Sequence, residues 1–369
     1  MVKGSLIIEK AFATIRAFCM TELKRILVRG TNWLGDAVMT TPALRQLRAA
    51  FPSAHIALLA TPLTTGLFEG SPFVDEVMPY RRKEDGIAAF MQTVREIRAR
   101  EFDMALLFQN AFEAALLARL GGVPLRIGYA MHGRAALLTH RLQHDDSHQG
   151  RHQVHDYLDI VERAAQLAGA SFERDTVASL TANAAQRQAA AALLQRRGVM
   201  TRPLIVLNTA ATNSRAKCWS QENFAALADR LATERGAQIV LIGAASEREN
   251  AATVIAQMRT AQAINLAGAT SMGELIGLLA GCDLLVSNDT GPAHVAAALA
   301  TPTLTLFGPT NEFETAPTGA RAELMRADNI ECARCMHRDC PIDHRCMTRL
   351  AVEMVLAQAR HLLASPRAR

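Results

Sequence analysis

The sequence predicts an α/β protein built from two doubly wound domains, and three observations lead to this prediction. The chain has 369 residues, which is more than one hydrophobic core usually serves. Short apolar runs alternate with stretches of helical periodicity, as is typical of parallel strands joined by helices. The alternation pauses between about residues 180 and 202 and then restarts. Each half therefore predicts a sheet of its own, with ligands in a central cleft at the carboxyl ends of the strands.

The first domain is predicted to span residues 25–190. Its strands are predicted at Arg25–Arg29, His55–Ala60, Asp75–Met78 and Met104–Phe108, and its helices at Asp36–Ala50, Ile87–Arg100 and Phe112–Leu120. Residues 1–24 are interpreted as a leader that is either a flexible segment or an amphipathic helix on a membrane surface. Glu9 and Lys10 interrupt its apolar stretch, so it does not resemble a signal peptide.

The second domain is predicted to span residues 200–348, followed by a C-terminal helix and tail at 349–369. Its strands are predicted at Leu204–Leu207, Gln238–Ile242, Ala263–Leu266, Asp283–Ser287 and Thr303–Phe307. Its helices are predicted at Phe224–Arg235, Glu247–Met258, Met272–Ala280 and Ala293–Ala300. The alanine-rich stretch Thr181–Arg197 is predicted to be a helix that leads into this domain.

The composition is that of a globular protein with an anionic partner. Half of the residues are hydrophobic and 20% are charged, and the formal net charge is +5. This mild positive balance suits a nucleotide, a phosphorylated lipid or a membrane surface. Nucleic acid is not favoured, because two Trp and three Tyr provide few rings for base stacking. No apolar run approaches the ~18–20 residues that cross a bilayer.

The sharpest functional signal follows the strand predicted at Asp283–Ser287. It reads Asp289-Thr290-Gly291-Pro292-Ala293-His294, and Leu306-Phe307-Gly308-Pro309-Thr310 comes after it. Gly291 lets a ligand approach the backbone, Pro292 suits the first turn of a helix, and His294 lies one turn further on. Exposed N–H groups and the helix dipole would bind an anion there. Alternatively, Asp289 and Thr290 serve only as helix caps.

This run resembles the end of the donor domain in the heptosyltransferases of glycosyltransferase family 9, which have the GT-B fold. The resemblance covers nearly all of residues 24–350 and includes Arg29-Gly30-Thr31-Asn32-Trp33-Leu34-Gly35-Asp36 after the first strand. The Trp-Leu-Gly-Asp motif and the cysteine-rich tail are most similar to the second-heptosyltransferase group of the family. The resemblance implies two Rossmann-like domains facing a central cleft, and a transferase that uses ADP-heptose.

Asp36 is the catalytic base that this resemblance implies. In an inverting transfer, a carboxylate accepts the proton of the acceptor hydroxyl as the anomeric carbon is attacked from the opposite face. Gly30 and Gly35 allow a tight turn before Asp36, and Gly35 is expected to lie at the acceptor. The positive end of a helix predicts a lowered pKa for Asp36. An N-cap role for Asp36 is the alternative.

The loop from Thr209 to Trp219 predicts a site for a diphosphate. Thr212 and Asn213 offer polar side chains, and Lys217 offers a point charge. Lys217 and the amides at Thr290–Gly291 would stabilise the charge that builds on the departing ADP. The family's proline-glycine is Thr209-Ala210 here and its glycine-proline is Ser214-Arg215, so the loop's backbone path is expected to differ. A solvated surface lysine is the alternative.

Glu247 and Thr270 are expected around the nucleoside. Glu247 follows the strand that ends at Ile242, and it matches an acidic residue that binds the ribose in the family. Alternatively, it only favours a helix N-terminus. Thr270 is assigned to the adenine pocket by the resemblance alone.

The acceptor is expected at three residues of the first domain besides Gly35. Asn110 belongs to Gln109-Asn110-Ala111-Phe112-Glu113, a run that resembles a family segment with a basic residue in place of Glu113. Acceptor recognition is therefore expected to differ from that of the family. Arg126 and Arg134 are candidates for binding acceptor phosphates or carboxylates, with surface arginines as the alternative.

Four of the seven cysteines lie close together in the sequence, at Cys332, Cys335, Cys340 and Cys346. Four sulfurs could hold a structural zinc ion tetrahedrally, although the spacing is compressed compared with paired CxxC knuckles. Reduced structural thiols are an alternative. Disulfides are a further one, disfavoured because the chain shows no export signal.

The favoured function is inverting transfer of heptose from ADP-heptose to the lipid A–Kdo/heptose acceptor of lipopolysaccharide, in the cytoplasm and peripheral to the inner membrane. No Asp-x-Asp run appears, so no cofactor is expected for the chemistry. Another nucleotide-sugar glycosyltransferase, a nucleotide-sugar epimerase and a dinucleotide-dependent oxidoreductase are alternatives. The absence of Gly-x-Gly-x-x-Gly after the first strand weighs against the latter two classes. A zinc-bearing nucleic-acid-binding protein is a more distant alternative.

Overall fold

A computed structural model describes residues 23–145, 148–199, 203–212, 214–259 and 262–364, without the side chains of Lys83 and Glu84. The chain forms two compact units. The first unit contains the described residues up to Asn32, together with Pro42–Gln149 and Val154–Asp175. The second contains Trp33–Thr41, Gly150–Gln153 and the described residues from Thr176 onward. Of the leader predicted at 1–24, all but Leu23 and Lys24 lies outside the described residues.

The first unit has one six-stranded sheet in which every neighbouring pair is parallel. Its strands are β1 (Arg25–Arg29), β2 (His55–Ala60), β3 (Glu76–Pro79), β4 (Met104–Leu107), β5 (Leu125–Tyr129) and β6 (His140–Leu142), in the order β3-β2-β1-β4-β5-β6. The four predicted strands are confirmed to within one residue at each end. The short strands β5 and β6 were not predicted, because charged and polar residues interrupt them.

The helices of the first half differ from the prediction in three ways. The helices Pro62–Thr65 and Val154–Ala168 were not predicted, one helix begins at Arg82 instead of Ile87, and the first predicted helix is divided in two. The observed helices are α1 (Leu34–Met39), α2 (Thr41–Ala50), α3 (Pro62–Thr65), α4 (Arg82–Ala99), α5 (Phe112–Leu120) and α6 (Val154–Ala168). The single helix predicted from Asp36 to Ala50 is wrong, since α1 and α2 are separate helices. The hydroxyls of Thr40 and Thr41 donate to the carbonyls of Ala37 and Val38, at 2.7 and 2.8 Å. Such bonds compete with the helical backbone pattern at the break.

The second unit repeats the same topology. Its strands are β7 (Leu204–Asn208), β8 (Gln238–Ile242), β9 (Ala263–Asn265), β10 (Leu284–Asn288), β11 (Thr303–Phe307) and β12 (Ala322–Arg326), in the order β12-β11-β10-β7-β8-β9, again with every pair parallel. The helices are α7 (Ala184–Arg196), α8 (Gln221–Arg235), α9 (Arg248–Gln257), α10 (Met272–Gly281), α11 (Gly291–Ala298), α12 (Glu312–Thr315), α13 (Arg345–Thr348) and α14 (Val352–Ala364). Both sheets therefore confirm the predicted doubly wound architecture.

The division between the units differs from the predicted boundary at residue 190. Helix α7 packs against α10 so closely that a Cβ added at Gly277 would lie 2.1 Å from the carbonyl oxygen of Gln186. Helix α14 buries Val355 and Leu356 in the core of the second unit. Both helices therefore belong to that unit, and the first unit ends at Asp175. Within the described residues, no helix is both long and apolar enough to cross a bilayer.

Candidate active site

The centre of the second sheet brings together the two loops with the strongest sequence signals. Strands β7 and β10 are neighbours there, and the strand order reverses between them. Open α/β folds bind ligands at the carboxyl ends of such a strand pair. Lys217, from the loop after β7, places Nζ 3.0 Å from Oδ2 of Asp289, which follows β10. The Asp289 side chain is 4% exposed and that of Lys217 is 28% exposed, so the pair reaches solvent only through the lysine.

Asp289 also accepts a hydrogen bond from a hydroxyl group. The Thr310 hydroxyl donates to the same Oδ2 atom at 2.7 Å, and Lys217 Nζ also donates to the Asp289 carbonyl at 3.3 Å. The Asp-Thr-Gly-Pro run and the Phe-Gly-Pro-Thr run are thereby joined through the lysine loop. The alternative of a solvated surface lysine is wrong, because Lys217 is held in place.

Buried side chains fix the backbone on which this pair stands. Asn208 donates through Nδ2 to the hydroxyls of Thr290, at 2.6 Å, and Ser287, at 3.1 Å. Asn288 Oδ1 accepts from the backbone N–H of Trp219 at 3.0 Å. Thr290 is the N-cap residue of α11, but its side chain makes no capping hydrogen bond. The Asp289 carboxylate pairs with Lys217 and Thr310, and the Thr290 hydroxyl accepts from Asn208 of β7. Thr290 therefore occupies the N-cap position without capping through its side chain, and the alternative that the two residues serve only as caps is wrong.

Helix α1, which carries Asp36, packs against α11 through two glycines. A Cβ at Gly291 would lie 2.8 Å from Cβ of Leu34, and a Cβ at Gly35 would lie 3.0 Å from Cδ2 of His294. The contact at Gly291 leaves no room for a side chain, and a Cβ at Gly35 would require His294 to shift. Trp33 is the N-cap residue of α1, so the N-cap alternative for Asp36 is wrong.

Asp36 has a raised pKa, contrary to the prediction. Burial is the largest cause and raises the pKa to about 6, Lys217 opposes this rise, and Asp289 adds to it. The expected lowering fails because α1 is only six residues long and its dipole is outweighed by desolvation. A carboxylate with this pKa is mostly ionised at pH 7 and is more basic than an exposed aspartate, as suits a general base.

His294 is a buried neutral imidazole packed against Gly35. Burial is the chief cause and lowers its pKa to about 4, while the charge of Asp289 opposes this lowering. Its Nδ1 atom has no hydrogen-bond partner in the part of the chain that the structure describes. A neutral ring can donate or accept a hydrogen bond to a ligand without adding charge. Contact of His294 with the sugar-nucleotide donor remains a prediction.

The other residues predicted to bind the sugar-nucleotide donor follow the carboxyl ends of β7, β8 and β9. Glu247 accepts from the Thr212 hydroxyl at 3.0 Å and from the backbone N–H of Ala244 at 2.8 Å. Glu247 does begin a helix, as the alternative predicted, since it is the N-cap residue of α9. Thr270 lies in the partly buried loop between β9 and α10. Asn213 lies outside the described residues, and the nucleoside roles of Thr212, Glu247 and Thr270 remain predictions.

The structure contradicts the prediction that two arginines bind the acceptor's phosphates or carboxylates. Arg126 is the second residue of β5, near the amino end of the strand, and its Nε donates to the Leu137 carbonyl at 2.7 Å. It therefore lies at the edge of the sheet opposite the carboxyl ends. Arg134 is fully buried and donates to Asn110 Oδ1 at 2.6 Å and to the Tyr129 carbonyl at 2.8 Å. Arg134 ties the loops after β4 and β5 together and is not accessible to an acceptor.

A second group at the carboxyl edge of the first sheet was missed. Glu113 accepts from the Tyr80 hydroxyl at 2.5 Å and from Arg82 Nε at 3.0 Å. The Arg29 guanidinium stands 5.2 Å from the centre of the Tyr80 ring, and burial lowers its pKa to about 10. The sequence feature that could have revealed this group was Glu113, which stands where the resembling family segment has a basic residue. The Glu113 carboxylate is already partnered by this chain. Arg82 and Asn110 are polar residues at the same edge of the sheet, and contact of Asn110 with an acceptor remains a prediction.

The cysteine segment, residues 331–347, makes backbone hydrogen bonds to the loop that carries Lys217 and to the loop after β11. Arg338 accepts from the backbone N–H of Ala216 at 2.9 Å, next to Lys217, and Met336 donates to the Pro309 carbonyl at 2.9 Å. Its cysteines (Cys332, Cys335, Cys340 and Cys346) are free thiols, which contradicts the disulfide alternative. Among the described residues, no three of these sulfurs lie within 4.8 Å of one another, and zinc remains a prediction.

Replacement of Gly291 by Ala is expected to lower the free energy of unfolding by about 1–3 kcal/mol, because the new methyl group must displace Leu34 and α1. Gly281→Ala is the matched control, since a Cβ there meets no atom within 4 Å. Denaturant unfolding at pH 7 measures both variants. Equal stability of the two would contradict the close packing of α1 on α11.

Comparisons with known proteins agree with the sequence resemblance. The model of glycosyltransferase family 9 (heptosyltransferase) matches residues 90–345. Lipopolysaccharide heptosyltransferase 2 of Escherichia coli K12 is 29% identical over 307 residues, covering 82% of this chain and 88% of that protein. The structure of E. coli ADP-heptose lipopolysaccharide heptosyltransferase II has a TM-score of 0.77 at 27% identity, covering 92% of this chain and 98% of that one. The family 9 glycosyltransferase of Veillonella parvula has a TM-score of 0.80 at 26% identity, covering 94% and 99%.

Proposed function

This chain belongs to glycosyltransferase family 9 (heptosyltransferase), and we propose that it transfers heptose from ADP-heptose to the lipid A–Kdo/heptose inner core of lipopolysaccharide with inversion. One observation carries the proposal. Asp36 lies in the same compact unit as Lys217 and Asp289, close enough for both charges to act on its pKa. A base and a cation for a leaving diphosphate are the two groups that an inverting transfer requires.

The donor is proposed to bind at the carboxyl ends of β7 and β10. Its diphosphate lies against Lys217 Nζ and the start of α11, where backbone N–H groups and the helix dipole favour an anion. Asp289 and Thr310 keep the ammonium group in position, so little reorganisation is needed when charge develops. Thr212, Glu247 and Thr270 surround the nucleoside in this proposal.

In the proposed reaction, Asp36 accepts the proton of the acceptor hydroxyl. The hydroxyl oxygen forms a bond to the anomeric carbon, and the bond from that carbon to the diphosphate oxygen breaks. The electron pair leaves with ADP, and Lys217 stabilises the added negative charge. No cofactor takes part in this chemistry as proposed. The cysteine segment has a structural role, with or without zinc, because it holds the backbone next to Lys217.

The first unit is proposed to bind the lipid-linked acceptor through Asn110 and Arg82, which follow the carboxyl ends of β4 and β3. The protein is proposed to act in the cytoplasm at the inner membrane, where its net charge of +5 would favour an anionic surface. Sedimentation with anionic and with neutral vesicles, at low and high salt, tests this membrane contact. Equal sedimentation with both vesicle types would contradict it.

The function is tested with ADP-heptose and lipopolysaccharide from a heptose-deficient strain. ADP release and mass addition to the lipopolysaccharide are followed together, because ADP release alone also reports donor hydrolysis. We expect ADP release to depend on the acceptor and to match the heptose added. Acceptor-independent turnover, or transfer only from a different nucleotide sugar, would overturn the assignment.

The pH dependence of kcat/KM should follow the ionisation of Asp36. The base is active only when deprotonated, so kcat/KM should rise about tenfold per pH unit below pH 6 and level off above it. A profile that levels off near pH 4 would indicate an ordinary exposed carboxylate. Measurement in buffers of constant ionic strength keeps screening by salt unchanged.

A further inference from the structure

A histidine and aspartate cluster lies in the first unit, apart from every residue used above. Asp156 and Asp159 stand three residues apart in α6, and His144 and His148 follow β6. The ligand atoms of His148, Asp156 and Asp159 all lie within 4.8 Å of one another. No other group of three such residues meets this spacing in the part of the chain that the structure describes.

The histidine-to-aspartate separations within the cluster suit ligands of one ion, and His148 Nε2 also lies 3.4 Å from the Tyr129 hydroxyl. His148 Nε2 lies 4.0 Å from Asp159 Oδ2, and His144 Nε2 lies 3.9 Å from Asp156 Oδ2. Both distances exceed hydrogen-bond length. Two ligands with bonds of about 2.0–2.2 Å to the same metal stand roughly 3–4 Å apart. The two imidazole rings are stacked with their centres 4.4 Å apart, so both Nε2 atoms can approach α6.

Outer groups orient these ligands as they do at protein metal sites. His148 Nδ1 lies 3.1 Å from Asp145 Oδ1, which directs Nε2 towards Asp159. Asp159 accepts from the Tyr129 hydroxyl at 2.9 Å through Oδ2 and from Arg174 Nη2 at 2.9 Å through Oδ1. The first-row divalent metals favour such a mixture of imidazole and carboxylate.

We propose that His148, Asp156 and Asp159 bind a divalent transition metal ion, with His144 as a fourth ligand. The ion would cross-link the segment after β6 to α6 and neutralise the carboxylates between them. Because Asp156 and Asp159 belong to α6 and the histidines do not, binding would stabilise the packing of two elements.

Zinc and cobalt binding to the metal-stripped full chain tests this proposal. We expect one ion per chain in a C332S/C335S background, which removes two cysteine sulfurs as competing ligands. H148A and D159N should each weaken binding at least tenfold, and Asp145→Asn should weaken it by about 10- to 100-fold. Glu162→Gln is the matched control, since Glu162 also lies on α6 and pairs with Arg174 but is not a ligand. It should bind as the parent does.

The cobalt spectrum identifies the ligands independently of stability. Cobalt held by nitrogen and oxygen lacks the sulfur-to-cobalt charge-transfer band that thiolate ligands produce. Binding without this band, lost in H148A, would support the site. Absence of binding in the C332S/C335S background, or equal binding by H148A and by the parent, would overturn it.

Discussion

Replacement of Asp36 by Asn is expected to lower kcat for heptose transfer about 10³-fold, the range in which general bases contribute. The amide keeps the size of the side chain and the packing of α1, but it cannot accept the hydroxyl proton. ADP affinity should be nearly unchanged, because the diphosphate is held by Lys217 and the start of α11. Single-turnover assays with saturating acceptor measure the rate, and calorimetric titration measures ADP binding.

The same variant should be more stable than the parent at pH 7. The folded pKa of Asp36 is raised to about 6 from the usual 3.8, so the stability that its protonated form contributes is complete below pH 3.8 and lost as the pH rises through 6. Asn removes that loss and should add on the order of 1–3 kcal/mol to the free energy of unfolding at pH 7. The gain should vanish near pH 3.

Glu222→Gln provides the matched control for the Asp36 variant. Glu222 is also a carboxylate in the first turn of a helix of the second unit, but it is exposed and lies in α8. Its loss should leave both activity and stability unchanged. Full transfer activity in Asp36→Asn would remove Asp36 from the role of base.

Replacement of Lys217 by Met is expected to reduce kcat/KM by about 10²–10³-fold, as when one donor to a developing anion is removed. It should also lower the free energy of unfolding by about 1–3 kcal/mol, because among the described residues the buried Asp289 carboxylate keeps only Thr310 as a side-chain donor. The double variant Lys217→Met/Asp289→Asn should regain stability without regaining activity. This separation distinguishes catalysis from folding.

Arg215→Met is the control for the lysine. Arg215 belongs to the same short helical turn, but its side chain is 90% exposed and pairs with Asp339. Exposed ion pairs contribute little, so this variant should behave as the parent. A Lys217→Met enzyme with normal kcat/KM would show that the leaving diphosphate is stabilised elsewhere.

The buried elements were predictable because their sequences have one structural solution. Met104–Leu107 and Ile239–Ile242, for example, are continuous apolar runs, as expected in a parallel sheet covered on both faces. Lys217, Asp289 and Thr310 were found by motif, since each follows a strand that could be recognised. Their mutual hydrogen bonds then follow from adjacent parallel strands.

The errors arose where a residue's environment depends on distant parts of the chain. The pKa of Asp36 depends on burial in the folded unit and on the charges of Lys217 and Asp289, which cannot be derived from the neighbouring residues. Arg126 was misplaced because β5 was not recognised, and its amino end could not be distinguished from its carboxyl end. Arg134 was misjudged because a fully buried arginine needs hydrogen-bond acceptors around its guanidinium, and only the fold brings the end of β5 and the loop after β4 to it.

The placement of α1 constrains how this enzyme could exchange parts with its relatives. A chimera joined at the boundary between Asp175 and Thr176 would take Asp36 from one parent and α11 from the other. Leu34 and Gly35 would then have to match a foreign Gly291 and His294. Recombination that alters acceptor choice without losing turnover should therefore transfer residues 33–41 together with the donor half, although they precede it by more than a hundred positions in the chain.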